Sequence, residues 1–196
     1  MVYDRATSLH NGFKRFNLNF PAAPFINPVN RTATAATPGG QRLHVSSLLP
    51  ANATLSYVPE GGTLSNIAQL ETMKGRLVVE DLSMPADTRF LHLLQAADPA
   101  TPADPAALAQ SVAGTAFDGM AMLDTAVFFA SDLKAAFQGT TLLVPSAVVQ
   151  VLVTGLTPGA GYGITTTGVT AGVQIQIIPG GQTATADAAG VLVLAL

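Results

Sequence analysis

The chain has 196 residues, a net charge of −3 and only 11% charged residues, against about 25% in an average soluble domain. Its nine basic residues are scattered, with Lys14-Arg15 the single adjacent pair, which argues against a nucleic-acid surface because phosphate neutralisation needs clustered cations. The absence of cysteine excludes a disulfide framework, a thiol nucleophile and a thiolate metal site.

The length suits one large sandwich or barrel. Val2–Ser8 is strand-like from the outset, the pattern of a segment cut from a longer polypeptide, and the opening MVYDRATS lacks the basic–apolar–small order of a signal peptide. No apolar run approaches the ~18 residues of a membrane span. His10-Asn11-Gly12 predicts a hairpin turn into Phe13–Phe20, where Phe16, Leu18 and Phe20 share a face. Pro21–Gln41, with four prolines and Gly39-Gly40, reads as an extended surface segment. Arg42–Leu49 is the next strand, stopped by Pro50. Ala53–Val58 follows and ends at Gly61-Gly62, and Ser65–Met73 reads as a short helical turn or a loop.

The stretch Arg76–Gln95 organises the rest. It predicts strands at Arg76–Ser83 and Arg89–Gln95, joined by the turn Met84-Pro85-Ala86-Asp87-Thr88. On the second strand Phe90, His92 and Leu94 lie on one face and Leu91 and Leu93 on the other, so the strand is expected to be covered on both sides. Asp98–Pro105 should be exposed. Ala106–Ser111 either continues it or starts a strand. Further strands are predicted around Met120–Leu123, Ala126–Ala130, Thr140–Val144, Val148–Thr154, Tyr162–Thr167, Val173–Ile178, Thr183–Thr185 and Val191–Leu196. Gly155–Tyr162 has the make-up of a tyrosine-corner turn, a fold signal of immunoglobulin-like sandwiches. The expected architecture is all-β: a large antiparallel two-sheet β-sandwich of about a dozen strands, with an Ig-like character toward the C-terminus.

Sites are sparse. The three imidazoles are His10, His44 and His92, and none falls in an H-x-H or HExxH spacing. His44 and His92 lie on predicted strands that can bring them together as metal ligands. The competing reading makes His92 a hydrogen-bonded interior histidine and His10 a turn residue. Glu80 and Asp81 are adjacent on a strand, so they point to opposite faces and cannot share an acid–base task. No nucleophile elbow, P-loop or dinucleotide fingerprint is present. Catalytic residues are therefore none.

Several segments, in order, resemble the C-terminal β-sandwich domain of heparinase II/III-like polysaccharide lyases. They are Val2-Tyr3-Asp4-Arg5-Ala6, Lys14-Arg15-Phe16-Asn17-Leu18-Asn19, Gln41–Val45 with Leu48-Leu49-Pro50, Arg89–Leu94 and Phe117–Phe129. The likeness covers about residues 1–130. It implies a division into 1–134, the heparinase II/III-like sandwich, and 135–196, a low-charge β-rich part packed on the same sandwich. In that family the catalytic groups lie chiefly in an N-terminal helical toroid facing the sandwich. The resemblance also implies a structural zinc or calcium at Asp4 and at the position of Asn19, where the family has an imidazole and this chain a neutral amide.

The resemblance implies a non-catalytic accessory domain forming one wall of a glycan cleft, with an acidic polysaccharide or a helical toroid as partner, in a periplasmic or secreted setting, and with no cofactor of its own. The rival is a structural or adhesive sandwich. After Lys134 the chain carries one charge, Asp187, in 62 residues, and self-association through this low-charge third is expected. A stand-alone carbohydrate-binding module is a third reading. Against it, the chain has no tryptophan.

Overall fold

The computed structural model describes residues 1–59 and 73–196. These form two compact units, Met1–Ala103 and Asp104–Leu196. The sequence division after residue 134 does not coincide with them, because strands between residues 106 and 130 hydrogen-bond into the same sheet as those that follow.

The first unit contains β1 (Val2–Thr7), β2 (Arg15–Phe20), β3 (Phe25–Asn27), β4 (Thr32–Ala36), β5 (Arg42–Leu49), β6 (Thr54–Pro59), β7 (Gly75–Glu80) and β8 (Asp87–Ala97). They form a five-stranded sheet, β1-β8-β5-β4-β3, and a three-stranded sheet, β2-β7-β6. Alternation explains the packing. Phe16, Leu18 and Phe20 of β2, Leu77 and Val79 of β7 and Leu55 and Tyr57 of β6 meet Ala33 and Ala35 of β4 and Leu43 and Val45 of β5 in one core. Leu77 and Val79 are fully buried, each stabilising by about 1.5–3 kcal/mol. On β8, Phe90, Leu91, His92 and Leu93 are all buried, as apolar residues on both faces predict.

Two turns behave otherwise than their composition predicts. Asn11-Gly12 joins no hairpin, since β1 pairs with β8 while β2 pairs with β7. Met84–Thr88 likewise carries the chain from the three-stranded to the five-stranded sheet. Asp81 ends β7 early by accepting the Ser83 N–H at 2.9 Å, and Met84 takes a φ of 50°. Within Pro21–Gln41 the structure has a hairpin, β3–β4, where an extended surface segment was expected. Asn27 Oδ1 accepts from the N–H groups of Val29 and Asn30 to close its turn, and Ala33 and Ala35 are buried. The Gly61-Gly62 break and residues 65–72 of the segment expected as a helical turn or loop lie outside the described residues.

The second unit contains β9 (Ala106–Gly114), β10 (Phe117–Met122), β11 (Thr125–Ala130), β12 (Thr140–Val144), β13 (Gln150–Thr154), β14 (Gly161–Val169), β15 (Gly172–Pro179), β16 (Ala184–Thr185) and β17 (Leu192–Ala195). All nine belong to one sheet, ordered β16-β14-β15-β12-β9-β10-β11-β13-β17. The described residues thus hold seventeen strands in three sheets, and the simple two-sheet sandwich is corrected. The cause is β9. Its first half, Ala106–Gln110, pairs with β10, while Ser111, Ala113 and Gly114 pair with β12 across a bulge at Thr141/Leu142. One bent strand therefore knits two layers together. The sheet rolls around Phe117, Phe128, Leu142, Val151, Val153, Ile175, Ile177 and Leu192 and is nearly closed into a barrel. Its strands are antiparallel except for β11 beside β13. The tyrosine corner is present: Tyr162, at the start of β14, accepts the Thr157 N–H on its hydroxyl at 3.1 Å. Among the described residues no helix is long and apolar enough to cross a membrane.

Candidate functional site

Strand alternation sends Arg15, Asn17 and Asn19 of β2 away from the core, opposite Phe16, Leu18 and Phe20. Register with β7 and β6 then assembles three rows across the outer face of the three-stranded sheet: Arg15–Glu80–Thr54, Asn17–Val78–Ser56 and Asn19–Arg76–Val58. With Phe13, the residues of these rows other than Thr54 and Asn19 line a groove of about 480 Å³. Arg15 Nε donates to Glu80 Oε2 at 2.7 Å, and its guanidinium lies 4.5 Å from the centroid of the Phe13 ring. Among the described residues, Arg76 has no ion pair. Two arginines against one glutamate make the described lining net positive.

The chemistry this permits is recognition. Arg76 presents a planar fork of donors suited to a carboxylate. Asn17 and Ser56 donate to and accept from hydroxyl groups, while the exposed Val58 and Phe13 offer apolar contact. Among the described residues Glu80 is the one carboxylate in the lining, and it is paired with Arg15, so none of them is a free base there to remove a proton. Adjacent Asp81 faces elsewhere. It accepts from the Ser83 hydroxyl at 2.6 Å and from Asn52 Nδ2 at 3.0 Å, and these bonds, led by the Ser83 hydroxyl, hold its carboxyl below the usual value against the opposing effect of burial.

The histidines separate by environment. His10 is exposed. His44 is the hydrogen-bonded interior histidine: Nε2 donates to the Thr101 carbonyl at 3.1 Å, so Nδ1 accepts from the Thr34 hydroxyl at 3.0 Å. His92, expected to be hydrogen-bonded, is instead fully buried with both ring nitrogens unpartnered among the described residues. Its ring lies 4.1 Å from that of Phe16 between centroids. Burial pushes its imidazole down to about 4, with the Asp4 carboxylate acting in the opposite direction.

Asp4 lies opposite Phe90 in the five-stranded sheet, and Asn19 opposite Arg76 in the three-stranded one; both are exposed. Among the described residues no three His, Asp or Glu side chains are placed to share a metal ion. One carboxylate and one amide do not fit a structural zinc. The groove residues Ser56 and Arg76 had not been singled out from sequence, although the alternation of Arg15 and Asn17 with buried aromatics signals an outward polar face on β2. No protein-family model and no curated protein matches the chain.

Proposed function

We propose that this chain is a non-catalytic accessory β-sandwich derived from a uronic-acid polysaccharide lyase, whose three-stranded sheet forms one wall of a cleft for an acidic glycan. The observation that carries the reading is the groove of Arg15, Asn17, Ser56 and Arg76, positive and, among the described residues, without a free base. The resemblance adds support, since four of its segments fall on β1, β2, β5 and β8, strands of one unit. Arg76 is the carboxylate anchor, and Asn17 and Ser56 meet hydroxyls beside it. Retardation in gels containing alginate or heparin tests this. The protein should be slowed, less so at high salt, and Arg76→Ala should weaken binding about fivefold, an exposed charge-assisted contact being worth roughly 1 kcal/mol. No unsaturated uronide absorbance should form. Binding untouched by Arg76→Ala, or product formation by this chain alone, overturns the reading.

A second reading, self-association, is favoured by the end strand β17. Val193 on it and Leu196 just after it are exposed, and Leu196 donates its N–H to the carbonyl of Val149, also exposed. A salt-insensitive rise in sedimentation coefficient with concentration supports it; a monomer at every concentration refutes it.

A further inference from the structure

The second unit carries a surface whose chemistry differs from that of the groove. Two depressions share Thr141 and Gln176: one of about 150 Å³ lies across β14, β15 and β12, and one of about 240 Å³ lies across β15, β12 and the end of β9. Register explains the arrangement. Thr141, Gln176 and Thr165 form one row, and Gln174 stands beside Thr167 in the next. Gly114 and Gly139, without side chains, open the larger depression at its far end. Among the described residues, none of the side chains of Thr141, Thr165, Thr167, Gln174 and Gln176 has a hydrogen-bond partner. Among the described residues no charged side chain lines either depression, and Ile178, half exposed, supplies an apolar flank.

We propose that this trough binds a neutral, hydroxyl-rich glycan chain. A charged ligand would find no counter-charge there and would lose hydration without compensation. A neutral sugar hydroxyl both donates and accepts, as do the amide and hydroxyl groups of the trough, and two neighbouring glutamines on one strand can bridge successive hydroxyls. With aliphatic contact in place of an aromatic platform, affinity is low, and a continuous polymer that samples the trough repeatedly is a better ligand than a single sugar.

Affinity electrophoresis of the full chain in gels containing laminarin, hydroxyethyl cellulose, galactomannan or dextran tests the proposal, with alginate as the acidic arm. At least one neutral polymer should retard the protein, and salt should leave that retardation unchanged. The double variant Gln174→Ala/Gln176→Ala should weaken it at least about fivefold. Thr165→Val/Thr167→Val, which keeps shape and strand propensity, should weaken it too, and Arg76→Ala should not. The acidic arm should respond in the opposite way, so failure here is distinct from failure of the acidic-groove reading. Absence of retardation by all four neutral polymers overturns the proposal, as does retardation indifferent to both double variants. Variants that abolish self-association rather than glycan retardation assign the trough to a second copy of the chain and likewise overturn it.

Discussion

His92 offers a test in which the sign and the size both follow from geometry. Its imidazole is fully buried on β8 against Phe16 and Phe90, with neither nitrogen partnered among the described residues. Burial lowers it from 6.5 to about 4. A depressed imidazole is neutral in the folded chain while the unfolded chain takes up the proton first. The stabilising contribution is therefore fully present above about pH 6.5 and is lost as pH falls toward 4. At about 1.4 kcal/mol per pH unit, this amounts to roughly 3 kcal/mol. His92→Leu removes the titration. At neutral pH it also relieves unpartnered polar atoms, worth about 1–3 kcal/mol, against the loss of a ring contact worth about 1 kcal/mol. The variant should thus be slightly more stable at pH 7.5 and markedly more stable at pH 4. Urea unfolding followed by NMR signals of β8 residues isolates the first unit, and the His92 ring-proton shift reports its titration directly. An imidazole titrating near 6.5, or stability curves for the two proteins that stay parallel from pH 7.5 to 4, would refute the argument.

Other substitutions test the local framework. Tyr162→Phe removes the acceptor of the Thr157 N–H and should cost about 1 kcal/mol, read as a lower urea midpoint for the second unit with that of the first unchanged. Asp81→Ala removes the acceptor of three bonds at the turn after β7 and should cost about 2 kcal/mol at pH 7. Because the Asp81 carboxyl is held below its ordinary value in the fold, its contribution is present above the unfolded value of about 4 and lost as pH falls through the lowered one. The deficit of Asp81→Ala should therefore shrink in strong acid, as measured by the same midpoint at pH 7 and pH 2.

Strand positions were largely legible because burial imposes alternation. β5 and β12 match their predicted bounds, and Val173, Ile175 and Ile177 alternate with Gln174 and Gln176 as a one-face strand requires. β3 and β4 escaped because alanine buries too little area to stand out among threonine and proline, although Ala33 is almost wholly buried in the fold. The bend of β9 was not legible either, since it depends on two partners remote in sequence, β10 and β12.

The groove illustrates the deeper limit, which is pairing rather than periodicity. Alternation alone turns Arg15 and Asn17 outward, so half of the surface follows from β2 by itself. Bringing Arg76 beside Asn19 and Glu80 beside Arg15 requires β7 to pair with β2. A proline-containing turn at Met84–Thr88 favours instead the local pairing of β7 with β8, its neighbour in sequence. What decides between them is burial on two faces. β8 has Phe90 and His92 on one side and Leu91 and Leu93 on the other, and all four are buried, so it takes the interior place between β1 and β5. β7 buries Leu77 and Val79 on its core face and, although Val78 between them is buried too, turns the exposed Arg76 and half-buried Glu80 outward, so it suits a sheet whose second side is polar. A turn whose first residues are bonded by Asp81 can then lead from one sheet to the other, and the polar face of β7 is left to complete the groove.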